Sequence, residues 1–399
     1  MNKKISIGLC ISLIIISITA TFAITMVVSK QIYNNIISNI SQRSQTYESV
    51  DEISQLISNY YYGSVDDPNI NAALAEGYVN GLTEGANVYL NASEYAAYTA
   101  KLEGGVTGIG VETAFNYQTN QFVVTHVYED SPAEKAGLQA LDVITAIDNQ
   151  AVHLGNYSEL EQSLYGSMLS SVQIEFERNG ETKVVEPMLG FEIPSVRGHL
   201  EGSVGYIKIN GFYKNTASEF KEAAEKLIDE GATALIFDVR NTSDGSIDYA
   251  AQVIDVVVPN GNIAIAKDKN GATYKNKIYT AETSNISGVT FAVLVNGNTS
   301  GPAELFACDL RDIAQAQLIG EKTAGIGTMQ ELFALEDGGA VLLTVALIEP
   351  KGGAAAVYDG VGIEPTVNVT LTQEETANLE LLTTAQDAQL TAALNMLAG

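Results

Sequence analysis

The stretch FAVLVNGNTSGPAELFACDLRDIAQAQLIGEKTAGIGTMQ, residues 291–330, decides the fold. Its apolar run Phe291–Val295 predicts a buried strand, Asn296–Pro302 predicts a turn, and Ala303–Ala316 predicts a helix with Glu304 in its first turn. A sharp strand-to-helix turn can hold an attacking side chain clear of a sheet, and free N–H groups at the helix N-terminus can stabilise a developing oxyanion. The stretch is therefore typical of the nucleophile-bearing segment of an α/β hydrolytic enzyme.

This segment resembles the nucleophile-and-base region of the carboxyl-terminal processing, or tail-specific, serine proteases. That family carries its serine in a Thr-Ala-Ser-Ala-Ala-Glu pattern and its lysine in a Gly-Glu-x-Thr-x-Gly-Lys-Gly-x-x-Gln pattern. Here the matching segments read TSGPAE at 299–304 and GEKTAGIGTMQ at 320–330, with no gap between them. The family's serine thus falls on Gly301 and its lysine on Ile326, whereas its glutamine is retained as Gln330. The resemblance implies that both reactive groups are missing, so we expect no catalytic residues.

The predicted oxyanion hole also departs from the family pattern. Relatives read Arg-Asn-Asn-Pro-Gly-Gly after a buried strand, and a glycine N–H there belongs to the hole; this chain reads RNTSDG at 240–245, so Asp244 replaces a glycine. A carboxylate beside a developing oxyanion repels its charge, and losing one donor costs about two to three orders of magnitude in rate. In addition, Pro302 follows the nucleophile position and has no N–H to donate.

An alternative interpretation is an active serine peptidase with a shifted dyad, in which Ser300 is the nucleophile and Lys322 the base. Moving a nucleophile by one residue at a turn redirects its side chain, and productive geometry tolerates errors of only about 1 Å. Both residues also have ordinary explanations. Relatives carry a small residue in place of Ser300, which would pack or cap the helix, and often a surface Lys or Arg in place of Lys322.

Residues 104–186 resemble a PDZ domain. The segment GIGV at 108–111 matches the loop whose backbone N–H groups hold a terminal carboxylate in such domains, because glycines let several N–H groups converge on one anion. The segment SPAEKAGL at 131–138 matches the family's PDZ helix block. We therefore expect Gly108, Ile109, Gly110 and Val111 to bind a peptide carboxylate, with the following strand edge adding the peptide as an extra strand. A PDZ fold used only for packing is the alternative.

The region 187–371 is expected to form a tail-specific-protease-like core. Its strands alternate with helices, which predicts an α/β protease-like core with a mixed sheet. Thr216 and Glu219 are predicted to form a capping box at one helix start, and Asn91 is predicted to cap a helix near the end of a helical N-terminal segment, residues 49–103, that packs on the core.

The chain has 399 residues and a formal charge of −27, so a nucleic-acid role is excluded for lack of clustered basic residues. Lys3 and Lys4 precede an uncharged apolar run from Ile5 to Val28. This predicts a transmembrane signal-anchor at 1–30, with the bulk of the chain outside the cytoplasm of a single-pass cell-membrane protein. A cleavable signal peptide is the competing interpretation, given the small residues near Ala23.

No cofactor or metal is expected, because the three histidines are scattered without ligand-like spacing. The two cysteines, Cys10 and Cys308, fall in the membrane run and in a core helix, so no disulfide between them is expected. The remaining predicted segments are a stalk at 31–48 and a C-terminal helical tail at 372–399.

These observations favour a membrane-anchored member of the protease family that binds protein C-terminal tails through its PDZ domain but does not cleave them. The shifted-dyad peptidase is the first alternative. A regulatory subunit that forms an oligomer with an active paralogue is the second, since relatives of this family assemble as dimers or larger oligomers. A homo-oligomer fits the same residues.

Overall fold

The structure is a computed structural model that describes residues 21–22, 25–26, 29–30, 47–83, 85–166, 170–282, 286, 288–351 and 357–397. The chain divides into two compact units, Met1–Asn71 and Ala72–Gly399. Residues 47–60 of the first unit are helical. In the described ranges no helix is long and apolar enough to cross a bilayer. Most of the predicted span at 1–30 and most of the predicted stalk lie outside these ranges.

The labelled helices are α1 Asp67–Asn80, α2 Ala92–Gly104, α3 Pro132–Lys135, α4 Tyr157–Gln162, α5 Thr216–Asp229, α6 Ile247–Val257, α7 Pro302–Asp312, α8 Gln373–Ala377 and α9 Ala388–Leu397, with a 3₁₀ turn at Leu379–Leu381. The strands are β1 Val88–Leu90, β2 Val106–Gly108, β3 Val111–Asn116, β4 Gln121–Val127, β5 Val143–Ile147, β6 Gln150–Ala151, β7 Ile174–Arg178, β8 Glu181–Val185, β9 Phe191–Ile193, β10 Val196–Glu201, β11 Val204–Ile209, β12 Ala234–Asp238, β13 Gly261–Lys267, β14 Thr273–Ala281, β15 Thr290–Val295, β16 Gln317–Gly320, β17 Thr328–Ala334, β18 Ala340–Pro350 and β19 Val367–Asn368.

The core is a sheet in the order β10-β11-β12-β15-β16-β19, parallel except for β10. Helices α5, α6 and α7 pack on one face, and α9 packs on the other. Side chains alternate along each strand, so β12 sends Phe237 to the first face and Ile236 to the second. Covering both faces buries the parallel strands completely. The predicted α/β core with a mixed sheet is confirmed.

The segment that predicted the fold forms the expected strand and helix, but the helix is shorter than expected. Strand β15 ends at Val295, and α7 begins at Pro302 and ends at Asp312 rather than at Ala316. Gln315 adopts a left-handed conformation with φ 58°, and β16 begins two residues later. The chain must turn here to run parallel to β15, which ends the helix early.

The helix cap predicted at Thr216 is wrong. Asn215 is the N-cap residue and makes no side-chain cap bond, and Thr216 is the first residue of α5. The Thr216 hydroxyl accepts from the Tyr213 N–H at 2.8 Å, while Glu219 accepts from the Ser195 N–H at 2.7 Å. Each side chain thus bonds to a loop next to α5, Thr216 to the loop just before the helix and Glu219 to the distant Ser195, and neither caps the helix.

The helical N-terminal segment contains one strand that the sequence pattern did not predict. Strand β1 pairs antiparallel with β18. Asn91 is confirmed as the cap of α2: its Oδ1 accepts from the Glu94 N–H at 3.1 Å, and Glu94 Oε2 accepts from the Asn91 N–H at 2.9 Å. Helix α2 thereby starts directly after β1 and reaches the candidate site with its last turn.

The region predicted as a PDZ domain has its own sheet, in the order β3-β4-β5-β7-β8, and its own core. Strand β3 pairs only with β4 within this sheet, so its other edge is open to an added strand. Helix α4 lies beside this edge, where the Tyr157 ring stacks on Phe115 with centroids 4.4 Å apart. The arrangement forms a groove between β3 and α4.

A buried ionic network fixes the carboxyl end of β12, where the loop toward the candidate site begins. The Arg240 guanidinium is bound by Asp238 at 2.6 Å and by Asp387 at 2.8 Å, and it also donates to Gln389. Burial alone would raise the pKa of Asp238, but the charges of Arg240 and Lys208 outweigh it and hold that pKa well below its usual range. Asp387 precedes α9, so the network joins the C-terminal helix to the sheet.

Candidate functional site

The nucleophile position is a glycine in a conformation that other residues rarely adopt. Gly301 has φ 57° and ψ −116° and stands directly before α7. The turn that carries it is held by Thr299, whose hydroxyl donates to the Val239 carbonyl at 2.9 Å, and by the Ser300 N–H, which donates to Thr242 at 3.0 Å. A Cβ built on Gly301 would meet no atom within 4 Å. The turn therefore retains the space for a nucleophilic side chain but holds none.

Glu304 joins the two halves of the family's catalytic segment. Its buried carboxylate accepts from the Gly301 N–H at 3.1 Å and from the Ile326 N–H at 2.7 Å, both at Oε2. The other oxygen accepts from the Gly325 N–H at 2.7 Å and from the Thr323 hydroxyl. The positions that correspond to the family's serine and lysine are thus fixed beside each other by one side chain.

The base position carries an apolar side chain that faces solvent in part. The side chain of Ile326 is 41% exposed. The retained Gln330 donates to the Thr328 hydroxyl at 3.2 Å. Gln330 also lines a cavity of about 350 Å³ together with Gly245 and Pro302. The structure therefore brings the retained glutamine, the retained glycine of the predicted hole and Pro302 to one cavity.

The groups at the altered oxyanion-hole positions are already engaged in bonds within the protein or lack an N–H. Asp244 Oδ1 accepts from the Gly245 N–H at 2.8 Å, so the glycine that this chain retains does not have a free donor. Asp244 Oδ2 is paired with Lys101 from the last turn of α2. Pro302 supplies no N–H in the first turn of α7. Neither of these two positions offers a free donor to an oxyanion.

The alternative dyad is not assembled in this structure. Lys322 pairs with Glu364 at 2.8 Å, and its side chain is 46% exposed. Within the described residues Ser300 contacts the rest of the site through its backbone, by its N–H to Thr242 and its carbonyl to Ala303. A general base must lie within hydrogen-bond reach of the hydroxyl that it activates. An exposed ammonium bound to a carboxylate is not placed for that role.

The predicted carboxylate-binding loop is buried. The Ile109 N–H donates to the Leu164 carbonyl at 3.0 Å, directly after α4, and Gly108 forms an antiparallel bridge with Tyr165. The left-handed Gly110, with φ 85°, packs so closely that a Cβ would lie 2.3 Å from Ser131. The chain itself therefore occupies one of the donors that a ligand carboxylate would need.

Comparisons with known proteins agree with this architecture. Residues 203–369 match the model of Peptidase family S41, and residues 107–187 match the model of the PDZ domain. The chain therefore combines a Peptidase family S41 domain with a PDZ domain. It is 26% identical to a probable CtpA-like serine protease of Staphylococcus aureus (strain COL) over 372 residues, which cover 92% of this chain and 74% of that protein.

Two further similarities extend the comparison. A probable CtpA-like serine protease of Staphylococcus haemolyticus (strain JCSC1435) is 25% identical over 387 residues, covering 95% of this chain and 76% of that protein. A solved structure described as "Putative S41 protease from Bacteroides fragilis NCTC 9343" is 20% identical, has a TM-score of 0.57 and covers 87% of this chain and 96% of its own. The latter shows the shared fold alone.

Two features of the site were not predicted from the sequence. Lys101 lies 143 residues from Asp244, so no local pattern connects them, and the pair exists only because α2 packs beside the core loop. The four bonds of Glu304 were also unforeseen, although the sequence offered a signal. This chain retains the glutamate of the family's serine motif as Glu304 although the serine itself is missing. Its retention without the serine indicates a structural role.

A second buried acid in α7 gives a testable pH dependence. Burial raises the pKa of Asp309 to about 8, although interactions with Lys351 act to lower it. Asp309 is then protonated in the folded protein at pH 5 to 7 and ionised in the unfolded chain, so stability falls as the pH rises from about 4 to about 8. We expect Asp309→Asn to remove this slope, which is at most about 1.4 kcal/mol per pH unit.

Urea unfolding at pH 5, 6.5 and 8 checks this expectation. The stability of Asp309→Asn relative to the unmodified chain should rise with pH. The control is Asp229→Asn, at the exposed end of α5, which should leave the slope unchanged. Parallel pH profiles of Asp309→Asn and the unmodified chain would show that Asp309 keeps an ordinary pKa.

Proposed function

We propose that this protein captures the C-terminal tails of other proteins through its PDZ domain and does not cleave them. The observation that carries the proposal is Gly301, which occupies the nucleophile position in a turn that Glu304 holds firmly. A glycine has no group that could attack a carbonyl, and Ile326 cannot accept a proton. The occupied donor at Gly245 supports the same conclusion, because a hole without free N–H groups cannot stabilise an oxyanion.

Tail capture is supported by the open edge of β3 beside α4. An extended peptide can add to such an edge through main-chain hydrogen bonds, and its terminal carboxylate then meets the Gly-Ile-Gly loop. Binding requires that the Ile109 N–H leave the Leu164 carbonyl. One hydrogen bond of this kind contributes about 0.5–1.5 kcal/mol, which a carboxylate as the new acceptor can offset.

The deciding experiment incubates the purified full chain with an unstructured protein that ends in an apolar tail, with the same substrate amidated at its C-terminus, and with the variant Ser300→Ala. We expect binding that is lost on amidation and no cleavage. Cleavage that Ser300→Ala abolishes would establish the shifted-dyad peptidase instead. Binding that survives amidation would favour a regulatory subunit of an active paralogue.

We also propose that residues 1–30 anchor the protein in the cell membrane, with the tail-binding unit outside the cytoplasm. The support is the uncharged run from Ile5 to Val28 behind two lysines. Membranes of the producing cell are extracted with alkaline carbonate, and the retained protein is sequenced from its N-terminus. Release of the protein, or a start shortly after Ala23, would show a cleaved signal peptide.

A further inference from the structure

The groove between β3 and α4 is crossed by one carboxylate. Tyr157 and Glu161 lie four residues apart on α4 and therefore on one face of the helix, which is turned to β3. Tyr157 stacks on Phe115, and Glu161 Oε1 accepts from the Thr113 hydroxyl at 2.8 Å. A peptide that adds to the edge of β3 must pass this bond. Glu161 is thus placed to contact a ligand side chain.

Glu161 is a carboxylate without a counter-ion. No ion pair to it exists among the residues that the structure describes, and its one side-chain partner is the neutral Thr113 hydroxyl. Its environment is partly desolvated, since burial raises the pKa of Glu161 while the bond from Thr113 lowers it. A desolvated carboxylate gains more from a cation than an exposed one does, because water no longer screens the pair.

The neighbouring cavity contains three other carboxylates, each of which already has a cation. The cavity has a volume of about 830 Å³ and is lined by Thr113, Gln162 and Tyr165 at the groove and by residues of the core. Its acidic lining residues are paired within the protein: Glu112 with Arg197 at 3.0 Å, Glu380 with Lys208 at 3.3 Å, and Asp244 with Lys101. The contrast singles out Glu161 as the group that an incoming cation would neutralise.

We propose that Glu161 makes the PDZ groove selective for tails that carry a lysine or arginine side chain close to their C-terminus. This inference rests on the proposed tail capture. The basic side chain replaces the Thr113 hydroxyl as the donor to Glu161 and forms a charge-assisted hydrogen bond, which is roughly twice as strong as a neutral one. The net charge of −27 adds an attraction for basic ligands that is not local and that salt screens.

The test measures binding of fluorescent peptides to the full chain by anisotropy. The peptides share one apolar tail and carry Lys, Gln or Glu at each of the three positions before the last residue. We expect Lys to bind about tenfold more tightly than Gln at one of these positions, as befits a partly buried ion pair. The preference should persist in 0.5 M salt, where the attraction of the whole molecule is screened.

Two variants assign the preference to one side chain. Glu161→Gln should reduce the Lys-to-Gln ratio to about one, whereas Glu159→Gln, on the exposed face of the same helix, should leave it unchanged. Thr113→Val removes the competing donor and should increase the ratio. An unchanged ratio in Glu161→Gln, or equal binding of the Lys and Gln tails, overturns the inference while tail capture stands. If no tail binds, tail capture itself fails and the inference with it.

Discussion

The double variant Gly301→Ser/Ile326→Lys is expected to remain without peptidase activity, although it restores both reactive groups of the family. A serine fits sterically, since a Cβ at position 301 meets nothing within 4 Å. Its backbone, at φ 57° and ψ −116°, costs about 1–3 kcal/mol for a residue other than glycine. The backbone at position 326, which would carry the new lysine, is already fixed by its hydrogen bond to Glu304. The missing part is the oxyanion hole.

Activity should appear only when Asp244→Gly and Pro302→Ala are added. The first change removes the carboxylate that accepts from the Gly245 N–H at 2.8 Å, and the second restores an N–H after the nucleophile. Each donor contributes about two to three orders of magnitude to the rate. With two donors restored, we therefore expect the quadruple variant to cleave at least about ten-thousandfold faster than the double variant.

The measurement is the rate of cleavage of an unstructured protein with an apolar tail, followed by mass spectrometry. The matched control is the quadruple variant with Ala in place of Ser at position 301, which should be inactive. Strong cleavage by the double variant alone would show that Asp244 and Pro302 do not impair the hole. An inactive quadruple variant that folds normally would place the defect elsewhere in the site.

The sequence predicted the strand β15 and the start of α7 because local patterns determine both. The apolar run gives the strand, and Pro302 and Glu304 are typical of a first helical turn. The absence of a serine and a lysine could also be read directly from the aligned motif. These features depend on neighbouring residues alone, so one sequence suffices to predict them.

The state of the oxyanion hole could not be predicted in the same way. The sequence showed that Asp244 replaces a glycine, and repulsion of an oxyanion was the expected consequence. The structure adds that Asp244 pairs with Lys101 and occupies the Gly245 N–H. The pair with Lys101 depends on how α2 packs against a distant loop, whereas the bond to Gly245 depends on the conformation of the loop itself. The same holds for the wrong cap at Thr216, where the partner of Glu219 is Ser195 rather than its own helix.

The groove of the PDZ domain could be predicted from the sequence only in part. The loop at 108–111 was identified from its glycines, but whether its donors are free depends on the chain after α4. Leu164 lies 55 residues from Ile109, and its carbonyl is a backbone group that no sequence motif encodes. The position of Glu161 in the groove likewise follows only from its hydrogen bond with Thr113 on the facing strand. The ligand specificity of the groove therefore depends on contacts between secondary-structure elements. The motifs that indicate the family, in contrast, lie within single segments of the sequence.

Replacing Glu304 by glutamine is expected to cause the largest loss of stability that a single change at this site can produce. The carboxylate accepts from three backbone N–H groups, those of Gly301, Gly325 and Ile326, and from the Thr323 hydroxyl. A glutamine presents an NH₂ group where two of these donors need an acceptor. Buried donors without acceptors cost about 1–3 kcal/mol each, so we expect Glu304→Gln to lower the free energy of unfolding by about 3–5 kcal/mol.

Urea unfolding of the full chain measures this loss, with Glu364→Gln as the matched control. Glu364 is 71% exposed and pairs with Lys322 at the surface, so its replacement should change stability by less than about 0.5 kcal/mol. Tail binding by Glu304→Gln should be retained under native conditions, because the PDZ domain has a separate core. A loss no larger than that of the control would mean that the turn at Gly301 does not depend on Glu304. The turn would then be held by Thr299 and Ser300 instead. Glu304 would not be needed to keep positions 301 and 326 beside each other.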